Sequence, residues 1–171
     1  YRDFQDFLAA LASRKRKNIS RERKELRERG LTVRRLCNAE ITADWWDFFF
    51  RLYHNTYRKH SGNLGYLTEH FFRELGTVMD GQLMMAVAEI EGEKVAAALF
   101  LQDDEHLYGR YWGCEREHYA LHFELAFYRL IEHCIENGWT RFEAGAGGRH
   151  KIKRGLEPVC IHSAHWIGHP Q

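Results

Sequence analysis

The chain has 171 residues, of which 44% are hydrophobic and 29% charged, with a formal net charge of +1, which is ordinary for one globular domain. No apolar run approaches the length of about 20 residues that a membrane-spanning helix needs, and no signal-peptide pattern is present. The cysteines at positions 37, 114, 134 and 160 show no paired spacing, which favours reduced thiols and a cytoplasmic protein.

Two helices are predicted ahead of the first strand. Residues 3–12 carry apolar side chains at helical spacing, and residues 14–29 form a basic helix that Gly30 ends. Residues 14–35 hold eleven Lys or Arg and three Glu, a balance of +8. Two interpretations remain open: a solvated helix that pairs its own charges, or a face that binds a polyanion such as RNA or a nucleotide-linked substrate. In the second, the candidate ligands are Lys15, Lys17 and Arg21.

From residue 31 onward, short apolar runs alternate with amphipathic helices. Residues 83–90 are almost entirely apolar, as expected for a strand buried on both faces, and two further runs follow after tight turns. A long helix from Glu117 or His118 then leads to a strand that lies parallel to its neighbour. The fold class is therefore α/β, or α+β, with a mixed, mostly antiparallel sheet flanked by helices. Strands are predicted at residues 31–36, 83–90, 95–101, 106–114, 140–143 and 159–166.

The stretch 142–158 follows one of these strands and is rich in glycine and cations. Glycine adopts backbone angles closed to other residues and lets a ligand approach closely. A loop that opens a helix also presents free N–H groups to an anion. The stretch is therefore either an anion-binding corner or a tight turn followed by a solvated basic helix. The candidate substrate-binding residues here are Gly147, Gly148, Arg149, His150, Lys151, Lys153 and Arg154.

Six short phrases occur in a fixed order along the chain. They are Ser-Arg-Lys-Arg-Lys-Asn-Ile at 13–19, Leu-Tyr-Gly-Arg-Tyr-Trp-Gly at 107–113, His-Phe-Glu-Leu at 122–125, Phe-Glu-Ala-Gly-Ala-Gly-Gly-Arg-His-Lys at 142–151, Arg-Gly-Leu-Glu-Pro at 154–158 and Ser-Ala-His-Trp at 163–166. Together with the order of elements, these phrases resemble the Fem-like family of bacterial peptidoglycan biosynthesis/recognition proteins, a branch of the GNAT superfamily of N-acyltransferases.

The resemblance implies a GNAT-like domain at 31–171, preceded by a basic helical extension or interdomain segment at 1–30. It implies the C-terminal half of a longer protein whose upstream half is also GNAT-like. The function implied is acyl or aminoacyl transfer to an amine acceptor such as a peptidoglycan precursor. Expected partners are a small anionic or nucleotide-linked substrate and a donor, aminoacyl-tRNA or acyl-CoA, with no tightly bound cofactor.

One junction departs from the acyl-CoA-dependent relatives of the family. Those enzymes bind the pyrophosphate with a glycine-rich loop between the fourth strand and the long helix. Here residues 114–121 contain no glycine and two carboxylates, Glu115 and Glu117. This difference favours aminoacyl-tRNA over acyl-CoA, or a domain that uses no donor.

Acylation of an amine needs a base for the ammonium proton and donors for the oxyanion. Ligands usually bind at the C-terminal ends of the strands, where Glu143 is the expected acid/base; a salt bridge from Glu143 to Arg110 or Lys151 is the alternative. His122 and Glu124 are further substrate-binding candidates, which point to different sides of their helix. No closed four-ligand spacing predicts a metal site. The catalytic candidates are Glu143, Arg110 and Tyr111.

Three functions remain open from the sequence. The first is an acyl- or aminoacyltransferase. The second is a non-catalytic module that recognises a muropeptide or nucleotide-linked ligand. The third is an RNA-binding module built on the basic N-terminal helix. The missing pyrophosphate loop weakens the acetyl-CoA version of the first, and no oligomeric state follows from the sequence.

Overall fold

The computed structural model describes residues 1–168, and its centre is a five-stranded sheet. The strands are β1 (Leu31–Cys37), β2 (Leu83–Ile90), β3 (Glu93–Gln102), β4 (His106–Cys114) and β5 (Arg141–Glu143). They lie side by side in the order β1-β2-β3-β4-β5. The first four pair antiparallel, whereas β5 is parallel to β4. The predicted meander and the parallel fifth strand are confirmed.

Helices cover both faces of the sheet. Those within residues 1–168 are α1 (Phe4–Ala10), α2 (Ser13–Glu28), α3 (Ala43–Ser61), α4 (Glu69–Val78), α5 (Leu121–Phe123), α6 (Arg129–Glu136) and α7 (Arg149–Ile152), with a 3-10 turn at Asn38–Glu40 and a π-helical segment at Glu124–Tyr128. Alternation along β2 divides the core: Met85 and Val87 pack towards α3 and α4, and Met84 and Ala86 pack towards the opposite helices.

Helix α3 packs directly on β4. A Cβ added to Gly113 would lie 2.7 Å from the Cβ and 2.9 Å from the carbonyl oxygen of Leu52. Only a residue without a side chain allows this approach. The position of α3 over the fourth strand therefore depends on Gly113.

The N-terminal helices belong to the same folded body as the sheet. Phe7 of α1 and Ile19 of α2 are buried in a cluster with Phe127, and Leu26 is buried in the core beneath the sheet. Gly30, where the sequence analysis divided the chain, lies in the short turn between α2 and β1. The packing is continuous across this point because α2 contributes to the core.

The long helix differs from its prediction in two ways. It begins at Leu121 rather than at Glu117 or His118, since Ala120 takes a left-handed φ of 60° just before it. It also contains the π-helical segment, which apolar periodicity alone does not reveal. An inserted π turn shifts the faces of a helix, so the residues after it point in directions that regular helical spacing does not predict.

The predicted last strand, residues 159–166, is wrong. This stretch forms no strand within the described residues. Val159, Ile161 and Trp166 are 71%, 69% and 90% exposed. Alternating apolar residues favour the β conformation, but a strand forms only when the edge of a neighbouring strand completes its backbone hydrogen bonds. The adjacent strand, β5, is three residues long and offers a short edge.

Candidate active site

The two last strands of the sheet diverge and open a cleft. β4 and β5 pair only from His106 to Tyr108 on β4. Just beyond, the register between β3 and β4 shifts so that Arg110 has no partner on β3. Such a β-bulge bends its strand and leaves the extra residue unpaired. Gly109 permits the close approach before the divergence, because a Cβ there would lie 3.2 Å from the carbonyl oxygen of Glu143.

The cleft has a volume of about 500 Å³ and lies between β4, the loop 144–148, the helix that begins with α5, and α7. The structure brings seven predicted site residues to its wall. They are Arg110, Tyr111, His122, Gly147, Gly148, His150 and Lys151. The remaining predicted site residues do not line the cleft. They are Glu143, Glu124, Arg154, Lys15, Lys17, Arg21, Arg149 and Lys153.

Some residues that line the cleft had no predicted binding role. Among them are Trp112, Ala126 and Phe127, whose apolar side chains are equally typical of a core. Composition alone therefore does not distinguish the wall of this cleft from the interior.

The loop 144–148 is shaped by glycine and held by one lysine. Gly147 and Gly148 have φ values of 64° and 99°, which confirms the prediction that their backbone angles are unsuited to a side chain. The Lys151 ammonium donates hydrogen bonds to the carbonyl oxygens of Gly145, at 2.9 Å, and Ala146, at 3.1 Å. This lysine lines the cleft while also fastening the loop to α7.

Two histidines face each other in the cleft. The His122 ring packs on Trp112, with centroids 4.8 Å apart, and lies 5.9 Å from the His150 ring. Burial, together with the nearby charges of His150, Arg154 and Lys151, lowers the pKa of His122 to about 4. Burial also lowers the pKa of His150. The His122 imidazole is therefore neutral at neutral pH and can accept a hydrogen bond.

Tyrosines from two elements meet at the opposite side of the bulge. The hydroxyl groups of Tyr111 and Tyr66 are 3.4 Å apart. Tyr66 belongs to the α3–α4 connection. The Tyr53 hydroxyl holds this connection in place, because its oxygen accepts hydrogen bonds from the backbone amides of Tyr66, at 3.1 Å, and Leu67, at 3.2 Å. Burial, with the Tyr66 hydrogen bond, raises the pKa of Tyr111 to about 12. Tyr111 therefore stays protonated and can donate. No sequence motif marked Tyr66.

Glu143 lies beside the cleft. It occupies the last paired position of β5, opposite Tyr108, and forms an ion pair with Arg141 at 3.9 Å. This differs from the expected partners, Arg110 or Lys151. Because the preceding Phe142 packs with the helices beneath the sheet, the Glu143 side chain lies on the α3/α4 face.

Two predicted ligands are instead engaged inside the protein. Arg154, 8% exposed, donates to the Glu22 carboxylate at 2.9 Å and to the Tyr128 hydroxyl at 2.7 Å. Glu124, 4% exposed, accepts from Arg23 at 3.2 Å. Glu124 and Arg154, which the sequence predicts to bind substrate, are therefore held in buried ion pairs. Helix α2 supplies their partners, which lie too far away in sequence for spacing to reveal them.

The junction between β4 and α5 borders a second cavity, of about 440 Å³. Its two carboxylates are paired with cations of α3: Glu115 lies 3.4 Å from Arg51, and Glu117 pairs with Lys59. His122 lines both this cavity and the cleft. The β4–α5 junction therefore carries the carboxylates of Glu115 and Glu117 and contains no glycine whose backbone amide could bind a pyrophosphate.

The predicted basic ligands outside the cleft fall into two groups. Lys15 donates to the carbonyl oxygen of Ile152, at 3.0 Å, which joins the first turn of α2 to α7. The other cations are exposed to solvent. They are Lys17, Arg21, Arg149 and Lys153.

No group of three or more His, Cys, Asp or Glu side chains in residues 1–168 is arranged to hold a metal ion. Over the same residues, no helix combines the length and apolar character that crossing a bilayer requires. Cys160 and His162, in the exposed C-terminal stretch, lie 3.8 Å apart.

Comparison with known proteins gives a family. The model of the FemAB-like family, described as peptidoglycan biosynthesis/recognition, matches residues 1–171. The chain belongs to the FemAB-like family. None of the curated proteins matches the sequence of this FemAB-like protein.

Solved structures show that the FemAB-like chain has the GNAT acyltransferase fold. An aminoglycoside acetyltransferase from an uncultured soil metagenomic sample superimposes with a TM-score of 0.59 at 11% identity, covering 82% of this chain and 98% of that one. Glucosamine-6-phosphate N-acetyltransferase from Arabidopsis thaliana gives 0.54 at 14% identity, with coverage of 80% and 97%. The C-terminal domain assigned to a lysylphosphatidylglycerol synthetase of Agrobacterium fabrum gives 0.57 at 16% identity, with coverage of 82% and 43%.

Proposed function

We propose that this FemAB-like chain transfers an acyl or aminoacyl group to an amine acceptor on a peptidoglycan precursor. The observation that carries the proposal is the cleft at the β4 bulge. Arg110 has no partner on β3, and within the described residues β5 pairs with β4 only as far as Tyr108, which leaves that edge of β4 without a neighbouring strand. Unpaired main-chain groups at this edge can hold an extended donor and stabilise a developing oxyanion.

The two faces of the sheet suggest separate approaches for the two substrates. The donor occupies the cleft between β4 and the loop 144–148, where neutral His122 accepts a hydrogen bond from it. The acceptor amine approaches from the α3/α4 face, which carries Glu143 and Tyr111. As the amine nitrogen bonds to the acyl carbon and the bond from that carbon to the donor breaks, the Glu143 carboxylate receives the amine proton and the Tyr111 hydroxyl gives its proton to the departing group. The proton on Glu143 then returns to Tyr111 through solvent, so that both residues are restored.

The preferred donor is aminoacyl-tRNA. The β4–α5 junction offers a pyrophosphate no glycine amides, and its carboxylates Glu115 and Glu117 already engage the nearby cations Arg51 and Lys59, so acyl-CoA is disfavoured. Exposed cations of α2, Lys17 and Arg21, are suited to phosphates of RNA. The fold is also found in a lysylphosphatidylglycerol synthetase domain, whose named product carries an aminoacyl group. The family description supplies the peptidoglycan acceptor.

Transfer of a labelled group from donor to acceptor tests the proposal. Aminoacyl-tRNA and acetyl-CoA are each supplied with a UDP-linked muropeptide, and labelled product is separated and counted. We expect product from aminoacyl-tRNA. Glu143→Gln should lower turnover by about 10²–10⁴-fold with unchanged donor affinity. Glu91→Gln, in the β2–β3 turn, is the matched control. Efficient transfer from acetyl-CoA alone would refute the donor, and full activity of Glu143→Gln would refute the base.

One observation favours a second function, ligand recognition without chemistry. The His122 imidazole is a weak base because its pKa is about 4, and the Glu143 carboxylate does not line the cleft. A recognition module needs neither group to move a proton. Titration calorimetry with the muropeptide distinguishes the two: binding without transfer from either donor supports recognition, whereas product formation rules it out.

A further inference from the structure

A buried network of charges joins the N-terminal helix α2 to the wall of the cleft. Glu22 and Arg154 are each 8% exposed, and their side chains meet at 2.9 Å. The Tyr128 hydroxyl bridges them, donating to Glu22 and accepting from Arg154 at 2.7 Å. The guanidinium also lies over the Phe123 ring, 3.2 Å from its centroid. Buried charges at this depth are stable only while every partner is in place.

The same network reaches the main chain of α7. The third guanidinium nitrogen of Arg154 donates to the carbonyl oxygen of His150 at 3.2 Å. Lys15, in the first turn of α2, donates to the carbonyl oxygen of Ile152 at 3.0 Å. Two side chains thus hold two carbonyl groups of a helix only four residues long. So short a helix has little stability of its own, so these contacts decide where it lies.

Helix α7 in turn holds the loop 144–148. Lys151 donates to the carbonyl oxygens of Gly145 and Ala146, while His150 contributes its ring to the cleft beside His122. A displacement of α7 would therefore carry the loop and the His150 ring away from β4. Contacts made by α2 therefore act on α7, which carries part of the wall of the cleft.

We infer that Glu22 and Lys15 are positioning residues, which fix the wall of the cleft through Arg154 and α7. Neither side chain lines the cleft itself. The inference rests on the proposed function only in taking the cleft as the ligand site. The placement of α7 can be measured without any ligand.

An ion pair that joins α2 to a different helix provides a matched control. Arg23 pairs with Glu132 at 3.0 Å, and Glu132 also accepts from Arg129 at 3.2 Å. These contacts tie α2 to α6 and make no hydrogen bond to α7 among the described residues. Glu132→Gln should therefore reduce the stability of the whole fold without releasing the loop.

Hydrogen exchange of single amides, followed by NMR, tests the inference. The reporters are the hydrogen-bonded amides of Lys151, Arg154, Gly155 and Leu156. Their rates are divided by the rate of the Leu99 amide in β3, which corrects for global unfolding. Glu22→Gln and Lys15→Met should each accelerate the corrected rates by about tenfold, the effect of losing one charge-assisted hydrogen bond. Glu132→Gln should leave the corrected rates unchanged.

Equal corrected rates in all variants would overturn the inference, as would acceleration by Glu132→Gln of the same size. Lys15→Met alters a half-exposed side chain, so it remains informative even where Glu22→Gln fails to fold. Donor affinity, measured on the same proteins with aminoacyl-tRNA, separates the two proposals. Accelerated exchange with weaker binding supports both. Accelerated exchange with unchanged binding supports the positioning role and refutes the cleft as the donor site.

Discussion

Replacing Gly148 by alanine tests whether the wall of the cleft requires glycine. The residue has a φ of 99°, which side chains rarely adopt, and an added Cβ would lie 2.7 Å from Cε1 of His150. Backbone strain of this kind costs about 1–3 kcal/mol. The contact adds to it, because the His150 ring can move aside only by leaving its place beside Phe127 and His122.

The neighbouring glycine separates strain from contact. Gly147 has a φ of 64°, and no described atom lies within 4 Å of a Cβ built there. Gly147→Ala should therefore cost about 1–2 kcal/mol, the penalty for a left-handed residue alone. Gly148→Ala should cost about 1 kcal/mol more, as expected for a moderate steric overlap. In a domain of this size, each kcal/mol lowers the melting temperature by about 2–4 °C.

The assay is urea unfolding of the parent, the single variants Gly147→Ala, Gly148→Ala and His150→Ala, and the double variant Gly148→Ala/His150→Ala. If the ring contact matters, removing the ring should recover about 0.5 kcal/mol or more of the cost, seen as coupling in a double-mutant cycle. The reasoning is refuted if the two glycine variants are equally stable or if the cycle shows no coupling. The larger Gly148→Val should also abolish ligand binding in the cleft.

Three further predictions concern other parts of the chain. Gly113→Ala should destabilise the fold by about 1–3 kcal/mol through overlap with Leu52, measured by thermal unfolding; a change below about 0.5 kcal/mol would contradict the packing. The pKa of His122 falls from 6.5 to about 4 on folding. Between these values the unfolded chain binds a proton that the folded chain does not, so the free energy of unfolding should decrease as the pH drops through this range. His122→Phe should reduce this dependence of stability on pH, measured by urea unfolding at pH 7 and pH 5, and an unchanged dependence would argue against burial of the ring. Lys17→Ala and Arg21→Ala should each reduce the slope of log affinity for RNA against log salt concentration by about one unit. An unchanged slope would indicate that these cations of α2 contact only solvent.

The arrangement of strands could be predicted from the sequence because its causes are local. Every residue of Leu83–Ile90 except Glu89 is apolar, which indicates a strand buried on both faces, and such a strand needs helices above and below it. Tight turns before and after β3 then leave an antiparallel meander as the simple connection. The helix between β4 and β5 requires the parallel pairing that the structure shows.

Part of the cleft was also predictable, since glycine constrains the backbone at its own position. The loop 144–148 was marked by composition, and positive φ angles at Gly147 and Gly148 follow from it. The adjacency of this loop to Arg110 and Tyr111 follows from the parallel pairing of β4 and β5. Local chemistry and topology together therefore located the cleft.

Only the tertiary structure decided which charged residues face the cleft. Arg154 and Glu124 belong to motifs that suggest binding, yet helix α2 supplies Glu22 and Arg23 as their buried partners. Glu22 and Arg154 are 132 residues apart, so no spacing rule connects them. A buried charge must find its partner in three dimensions, and that partner determines whether the side chain remains available to a ligand.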